Sequence, residues 1–285
     1  MASAAGFDWV TFLSDYGHDD VFVGVCKGVI ARIAPHVRLI DVCHLIAAQD
    51  VEQGATQLVG AMPYLPVGIH LAVVDPQATH ARGIVVRTGD GSLLVGPDNG
   101  LLSLAWEERG GIVEVVEIAN KDLWLERVHA TFRGRDIYAP VAGHLATGRP
   151  LSDVGPTLDA ADLTRIGVHI PVVDDDHVHA EIQAVDHFGN ASLNIARSDL
   201  EAAGITLGDV VEVRCNGRTL SVPFTHTFGE VAPGRLTLCE DSFRSVQLAV
   251  NAGRASQELR VNRGDPIVIA RVPQQPPGGR PAVTT

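Results

Sequence analysis

Hydrophobic residues in the first half of the chain come in blocks of three to seven, each closed by a turn-forming or charged residue. The blocks at 10–13 and 38–42 predict buried strands, and the stretch between them, 21–34, has the length of a helix. Together they predict a β-α-β crossover. A second helix is predicted over 50–62, followed by strands at 68–74, 83–87, 93–95 and 112–118. This alternation predicts an α/β domain with a central, largely parallel sheet.

From about residue 172 the pattern changes. Short apolar runs at 179–185, 210–215, 220–223, 236–238, 246–250 and 267–272 are joined by turn residues, and helical stretches become scarce. Such spacing predicts a smaller all-β, barrel-like domain. The expected division is an N-terminal domain over 1–170, a C-terminal domain over 171–272 and a disordered tail over 273–285, where PQQPPGGRPAVTT lacks any apolar period. The acidic turn Asp174-Asp175-Asp176 lies near the boundary.

A length of 285 residues with 46% hydrophobic and 20% charged residues is that of an ordinary globular protein of two domains. Twenty-two basic against 34 acidic side chains give a net charge of −12. Nucleic acid and anionic membrane surfaces are therefore excluded as expected partners. The four cysteines, Cys26, Cys43, Cys215 and Cys239, have no short paired spacing and are expected to be reduced. No leader-like or membrane-spanning apolar stretch is evident, which predicts a cytoplasmic protein.

Several segments carry candidate chemistry. SDYGHDD, residues 14–20, places Asp15, Asp19 and Asp20 between a predicted strand and a helix, where open α/β sheets bind ligands; a helix cap is the alternative. VVDPQATHAR ends a strand at Asp75 and returns through Arg82, as a pocket pair or a surface ion pair. GPDNG, 96–100, reads as a glycine-requiring bend. HATFRGRDIYAP gathers His129, Arg133, Arg135 and Asp136 before a helix, with Arg135 and Asp136 open to a purely internal pairing. DHFGN offers Asp186 and Asn190 across a glycine turn, suited to reading the polar edges of a ligand, with an Asx-type turn as the alternative. His177 and His179 share a strand face but would need a third ligand to hold a metal. The glycine fingerprint of dinucleotide folds, the Walker loop, the GxSxG elbow and the HExxH helix are all missing.

Taken in order, FLSDYGHDD, CKGVIARIAP, IDVCH with DVEQGA, VVDP, GPDNGLL, TFRGRDIYAPVAGHLATG, VDHFGN and LAVNAGRAS resemble the S-adenosylmethionine (SAM) hydroxide adenosyltransferases, relatives of fluorinase and chlorinase. The resemblance runs from about Phe12 to Val268. It implies hydrolysis of SAM to adenosine and L-methionine by a homotrimer whose sites lie between subunits, with SAM as substrate and neither cofactor nor metal. It further implies that Asp15 holds the ribose hydroxyls and that Asp20 and Asp186 face the methionine ammonium. Asn190, the backbone near Asn251 and Ala252, and a stacked Phe228 would read adenine, and Ser242 would meet the methionine carboxylate. Phe243 stands where the fluorinase has arginine, and Gln49 where it has tryptophan.

The hydrolases of that family carry an Asp, Arg and His set around the attacking water. The first two fall on Asp75 and Arg82. The third falls on Arg133, because this chain has TFRGRD where those hydrolases have TFHGRD. An arginine is all donor and too basic to accept a proton, so it does not replace imidazole like for like. Two alternatives follow: a catalytically weak SAM- or adenosine-binding protein, and a SAM-dependent halogenase. Against the second, an Asp75 carboxylate would repel a halide, and the halogenating relatives have tyrosine there.

Overall fold

The computed structural model describes residues 6–74, 81–167 and 169–272, and the chain divides after Gly167 into two units. In the first unit the apolar blocks become β1 (Trp9–Ser14), β2 (Arg38–Cys43), β3 (Ile69–Val73), β4 (Gly83–Thr88), β5 (Leu93–Pro97) and β6 (Ile112–Glu117). They form one sheet in the order β2-β1-β3-β5-β4-β6. Side chains alternate across it. On β1, Val10 and Phe12 point into one core while Leu13 enters the other; on β3, Ile69, Leu71 and Val73 part from Ala72 in the same way.

Each face is covered by helices that bury a stripe. Helix α1 (Phe22–Ile33) buries Val23, Cys26 and Ile30, positions that recur at helical spacing, and α2 (Val51–Ala61) buries Gly54, Ala55 and Leu58. The short α3 (Ser103–Glu108) joins α2 on its face, and α4 (Ala139–Ala146) joins α1 on the other. The predicted α/β layering is thus present, with a mixed sheet. β2, β1, β3 and β5 run parallel, whereas β4 is antiparallel to both β5 and β6. The physical reason is connection length, since the link from β4 to β5 is too short for a crossover.

In the second unit the strands are β7 (Val172–Val173), β8 (His177–Val185), β9 (Ala191–Ala196), β10 (Val210–Cys215), β11 (Arg218–Pro223), β12 (Leu236–Glu240), β13 (Ser245–Val250) and β14 (Pro266–Arg271). Their order is β11-β10-β14-β8-β9-β13-β12, with β7 beside β8, and every ladder is antiparallel. A bridge from Phe224 to Leu238 nearly closes the sheet into a barrel around Val178, Ile182, Leu193, Val213, Leu248 and Ile269. Two short helices, α5 (Arg197–Ala202) and α6 (Ala255–Leu259), were not foreseen; neither is long enough to show a helical period.

All four cysteines are free, and burial pushes the Cys26 thiol up to about 12. Among the described residues no helix is long and apolar enough to cross a membrane. The predicted disordered tail, 273–285, lies outside the described residues.

Candidate active site

Strands β1, β2 and β3 lie side by side, and each ends at a loop bearing polar groups. Ser14 and Val73 pair across β1 and β3, and Leu13 and Cys43 across β1 and β2, so the three exits share one rim. This is where parallel α/β sheets place ligands. Asp15 leaves β1 there, and its Oδ2 accepts from the backbone N–H of Gln49 at 2.9 Å, a residue whose own φ is +68°. Asp20 is exposed one residue before the N-cap of α1. The N-cap position falls on Val21, whose side chain has no acceptor, so neither Asp19 nor Asp20 is the capping residue.

Behind Asp15 lies a polar chain, buried at Ser14 and His44 and open to solvent at Asp41, that sequence reading passed over. Ser14 Oγ meets His44 Nδ1 at 2.7 Å, His44 Nε2 meets Asp41 Oδ1 at 3.2 Å, and Lys27 donates to Asp41 Oδ2 at 2.9 Å. Asp41 and His44 both stand in the IDVCH motif, which was the available signal.

Asp75 lies outside the described residues. The residues that flank 75–80 are braced: Asn99 Nδ2 donates to the carbonyl of Val74 at 2.7 Å, and Arg133 Nη1 donates to that of Ala81 at 2.6 Å. Arg82 bonds through Nε to Asp98 Oδ2 at 2.9 Å and through Nη2 to the carbonyl of Asp162 at 3.2 Å. Asp98 also accepts from the backbone N–H of Thr164. GPDNG is therefore more than a bend, because its two polar side chains hold a strand end and the candidate arginine. The Arg133 guanidinium also lies 5.2 Å from the centre of the Tyr138 ring.

TFRGRD packs directly on SDYG. A Cβ at Gly134 would be built onto the Tyr16 hydroxyl, so only glycine allows this approach. Tyr16, Phe22 and Phe132 meet edge to face around it, with centroids 5.2 to 6.1 Å apart. Gly134–Tyr138 forms a π-helical turn, a form that recurs at functional sites, and leads into α4, whose first turn accommodates Pro140. Asp136 is fully buried; it accepts from Arg135 at 2.6 Å and from the backbone N–H of His129 at 2.7 Å. Burial by itself raises the Asp136 carboxyl, yet the bonds from Arg135 and His129 outweigh it and hold the group below the usual carboxylate range. The internal-pair reading is the one realised.

The second unit carries the remaining candidates. Asp186 and Asn190 bond to each other: the Asn190 backbone N–H donates to Oδ1 and its side-chain amide to Oδ2, both at 2.8 Å, across Gly189 at φ +85°. Phe228 is 48% exposed and opens a 3₁₀ turn capped by Thr227, which leaves a ring face for stacking. Asn251 donates to the carbonyl of Val231 at 2.6 Å, and Ala252 beside it takes φ +55°, an uncommon conformation for a residue with a Cβ. Ser242 is exposed in a turn organised by Asp241, whose Oδ1 accepts from the backbone N–H groups of Phe243 and Ser245 and whose Oδ2 accepts from the Ser192 hydroxyl. His177 and His179 pair with Asp176 and Asp174.

Two family models match the chain in order, the SAM hydroxide adenosyltransferase N-terminal domain over residues 10–155 and the C-terminal domain over 180–268. The chain belongs to the SAM hydroxide adenosyltransferase family. Among relatives of the SAM hydroxide adenosyltransferases, an (R)-S-adenosyl-L-methionine hydrolase of Salinispora tropica is 47% identical, with 90% of this chain and 95% of that protein covered. One of Thermus thermophilus bearing the same name is 37% identical over 90% and 98%. A fluorinase of Nocardia brasiliensis is 30% identical over 78% and 82%. A solved structure of an uncharacterized conserved protein from Thermotoga maritima superposes with a TM-score of 0.86 at 38% identity, covering 92% of this chain and all of that one.

Proposed function

We propose that this protein hydrolyses SAM to adenosine and L-methionine. The observation that carries the reading is 47% identity to an (R)-SAM hydrolase across 95% of that protein, a span that includes both domains of the family. Water attacks C5′ in line with sulfur: the O–C5′ bond forms as C5′–S breaks, and the bonding pair returns to sulfur, so the sulfonium leaves as neutral thioether. No acid is needed for that leaving group. The protein's task is to aim the water and to take its proton.

Asp75 accepts the proton, and Arg82, held by Asp98 and the Asp162 carbonyl, orients carboxylate and water. Arg133 offers donors at the position of the family histidine, and its cation makes the neighbouring carboxylate a weaker base, so turnover is slow. Asp15 binds the ribose hydroxyls, and Asp20 with Asp186 the methionine ammonium. Ser242 meets the methionine carboxylate, while Asn190, Phe228 and the Asn251–Ala252 backbone hold adenine. In support, the Phe228 ring is half exposed and the Asp186–Asn190 turn is pre-formed. Cofactor and metal are unnecessary to this displacement. The protein acts as a homotrimer in the cytoplasm, one copy's first unit completed by a neighbour's second.

Turnover in H₂¹⁸O tests the chemistry. Adenosine and methionine are expected in equal amounts with ¹⁸O on the 5′-hydroxyl. Tight SAM binding without products would establish a binder instead, and 5′-chloro-5′-deoxyadenosine formed in chloride would establish a halogenase.

A further inference from the structure

The Ser14, His44 and Asp41 contacts have the residue types of a hydrolytic triad, but the ring is turned the other way. Nδ1 faces serine and Nε2 faces aspartate, and Ser14 and His44 are 0% and 1% exposed, out of reach of any substrate. A different role follows from the direction of the hydrogen bonds. Lys27 donates to Asp41 at 2.9 Å, which fixes Asp41 as an ionised acceptor. His44 must then donate through Nε2–H, leaving Nδ1 to accept the Ser14 hydroxyl proton. Ser14 Oγ in turn accepts the backbone N–H of Tyr16 at 3.3 Å, and the carbonyl of His44 accepts the backbone N–H of Gly17 at 2.7 Å. His44 thus holds the chain on both sides of Asp15, with its ring through Ser14 and with its backbone carbonyl at Gly17.

We infer that His44 is a positioning residue for the ribose hydroxyls, which fixes the Asp15 carboxylate through Ser14 and the Tyr16–Gly17 backbone. The inference rests on the assignment of Asp15 to the ribose. Burial lowers the imidazole below its ordinary value; Asp41 opposes this, whereas His18, 5.4 Å away ring to ring, and Lys27 act with it. That shift favours the neutral imidazole, the form that the chain of donors requires. The Phe12 ring, edge on at 4.7 Å, completes the cage.

The test compares adenosine with 2′,3′-dideoxyadenosine as ligands of the full-length protein by calorimetry. Wild type is expected to prefer adenosine by on the order of tenfold, the equivalent of one hydrogen bond to a charged group. In His44→Phe that preference should vanish while dideoxyadenosine affinity is retained. Ser14→Ala, a smaller change that preserves folding if His44→Phe does not, should move the same way. Equal weakening of both ligands would mean general damage to the fold and overturn the inference, as would a preference retained in either variant. A wild type without preference would instead refute the ribose assignment of Asp15 itself.

Discussion

Substitution of Gly134 by alanine probes the joint between the two motifs that matter most. In the middle of a helical turn alanine ordinarily gains about 1 kcal/mol over glycine. Here the new Cβ would fall on the Tyr16 hydroxyl, with the ring carbon Cζ at 3.0 Å. Either the π-helical turn or the aromatic cluster must yield, and overpacking of that kind costs about 1–3 kcal/mol. The net expectation is a loss of up to about 2 kcal/mol, or up to roughly 8 °C in Tm for a unit of this size. Because Arg133 and Asp15 lie on the two segments forced apart, turnover should fall further than stability. Tyr16→Phe removes the clashing oxygen and leaves the two ring-carbon contacts at 3.0 and 3.3 Å, so the double variant should recover much of the loss, with a coupling of about 1 kcal/mol. Thermal unfolding and adenosine release from the four proteins of the cycle provide the measurement. Additive losses, or a Gly134→Ala protein as stable and active as wild type, would refute the reasoning.

Other expectations follow from single contacts. Arg133→His should raise hydrolysis on the order of tenfold or more by restoring a group able to exchange protons, and an unchanged or lower rate would count against the assignment of that position. Asp241→Ala removes the acceptor for Phe243, Ser245 and Ser192; KM for SAM should rise on the order of tenfold with kcat little changed, and an unaltered KM would show that Ser242 has no part in binding. His70 is fully buried on β3, bonded to Thr11 through Nδ1, with no partner for Nε2 among the described residues. Burial, helped by Arg109 and opposed by Asp90, pushes its imidazole down to about 4. The unfolded chain takes up that proton near pH ~6.5, so stability is complete above this pH and declines as acidification proceeds toward pH 4, by about 3 kcal/mol in all. Urea titrations of wild type and His70→Leu at pH 7 and 5 should show the pH dependence flattened in the variant; parallel slopes would exclude His70 as its source.

The layered first unit was legible because its strands are short apolar blocks and its two long helices show clear stripes. The antiparallel β4 was the exception in the predicted, largely parallel sheet, since direction is set by the length of a connection rather than by strand composition. β9 was missed although Ala191, Leu193 and Ile195 alternate inward, because polar Ser192 and Asn194 follow directly on a turn signal. At the site, individual motifs were readable but not their mutual dependence. Nothing in GPDNG says that Asp98 reaches Arg82, and nothing in IDVCH says that His44 lies under Ser14. Such contacts join residues 16 to 30 positions apart and exist only once the sheet has set its register.

The adjacent parallel strands have a consequence for how this framework diversifies. Segments following Ser14, Cys43 and Val73 emerge from neighbouring rungs in one direction, at an interval of roughly 4.8 Å per strand. That spacing belongs to the backbone ladder and survives whatever the loops contain. A new nucleophile can therefore be accommodated by rewriting a few positions at one margin while every ladder bond stays in place. Relatives bearing the names hydrolase and fluorinase are what such economical rewriting would leave behind.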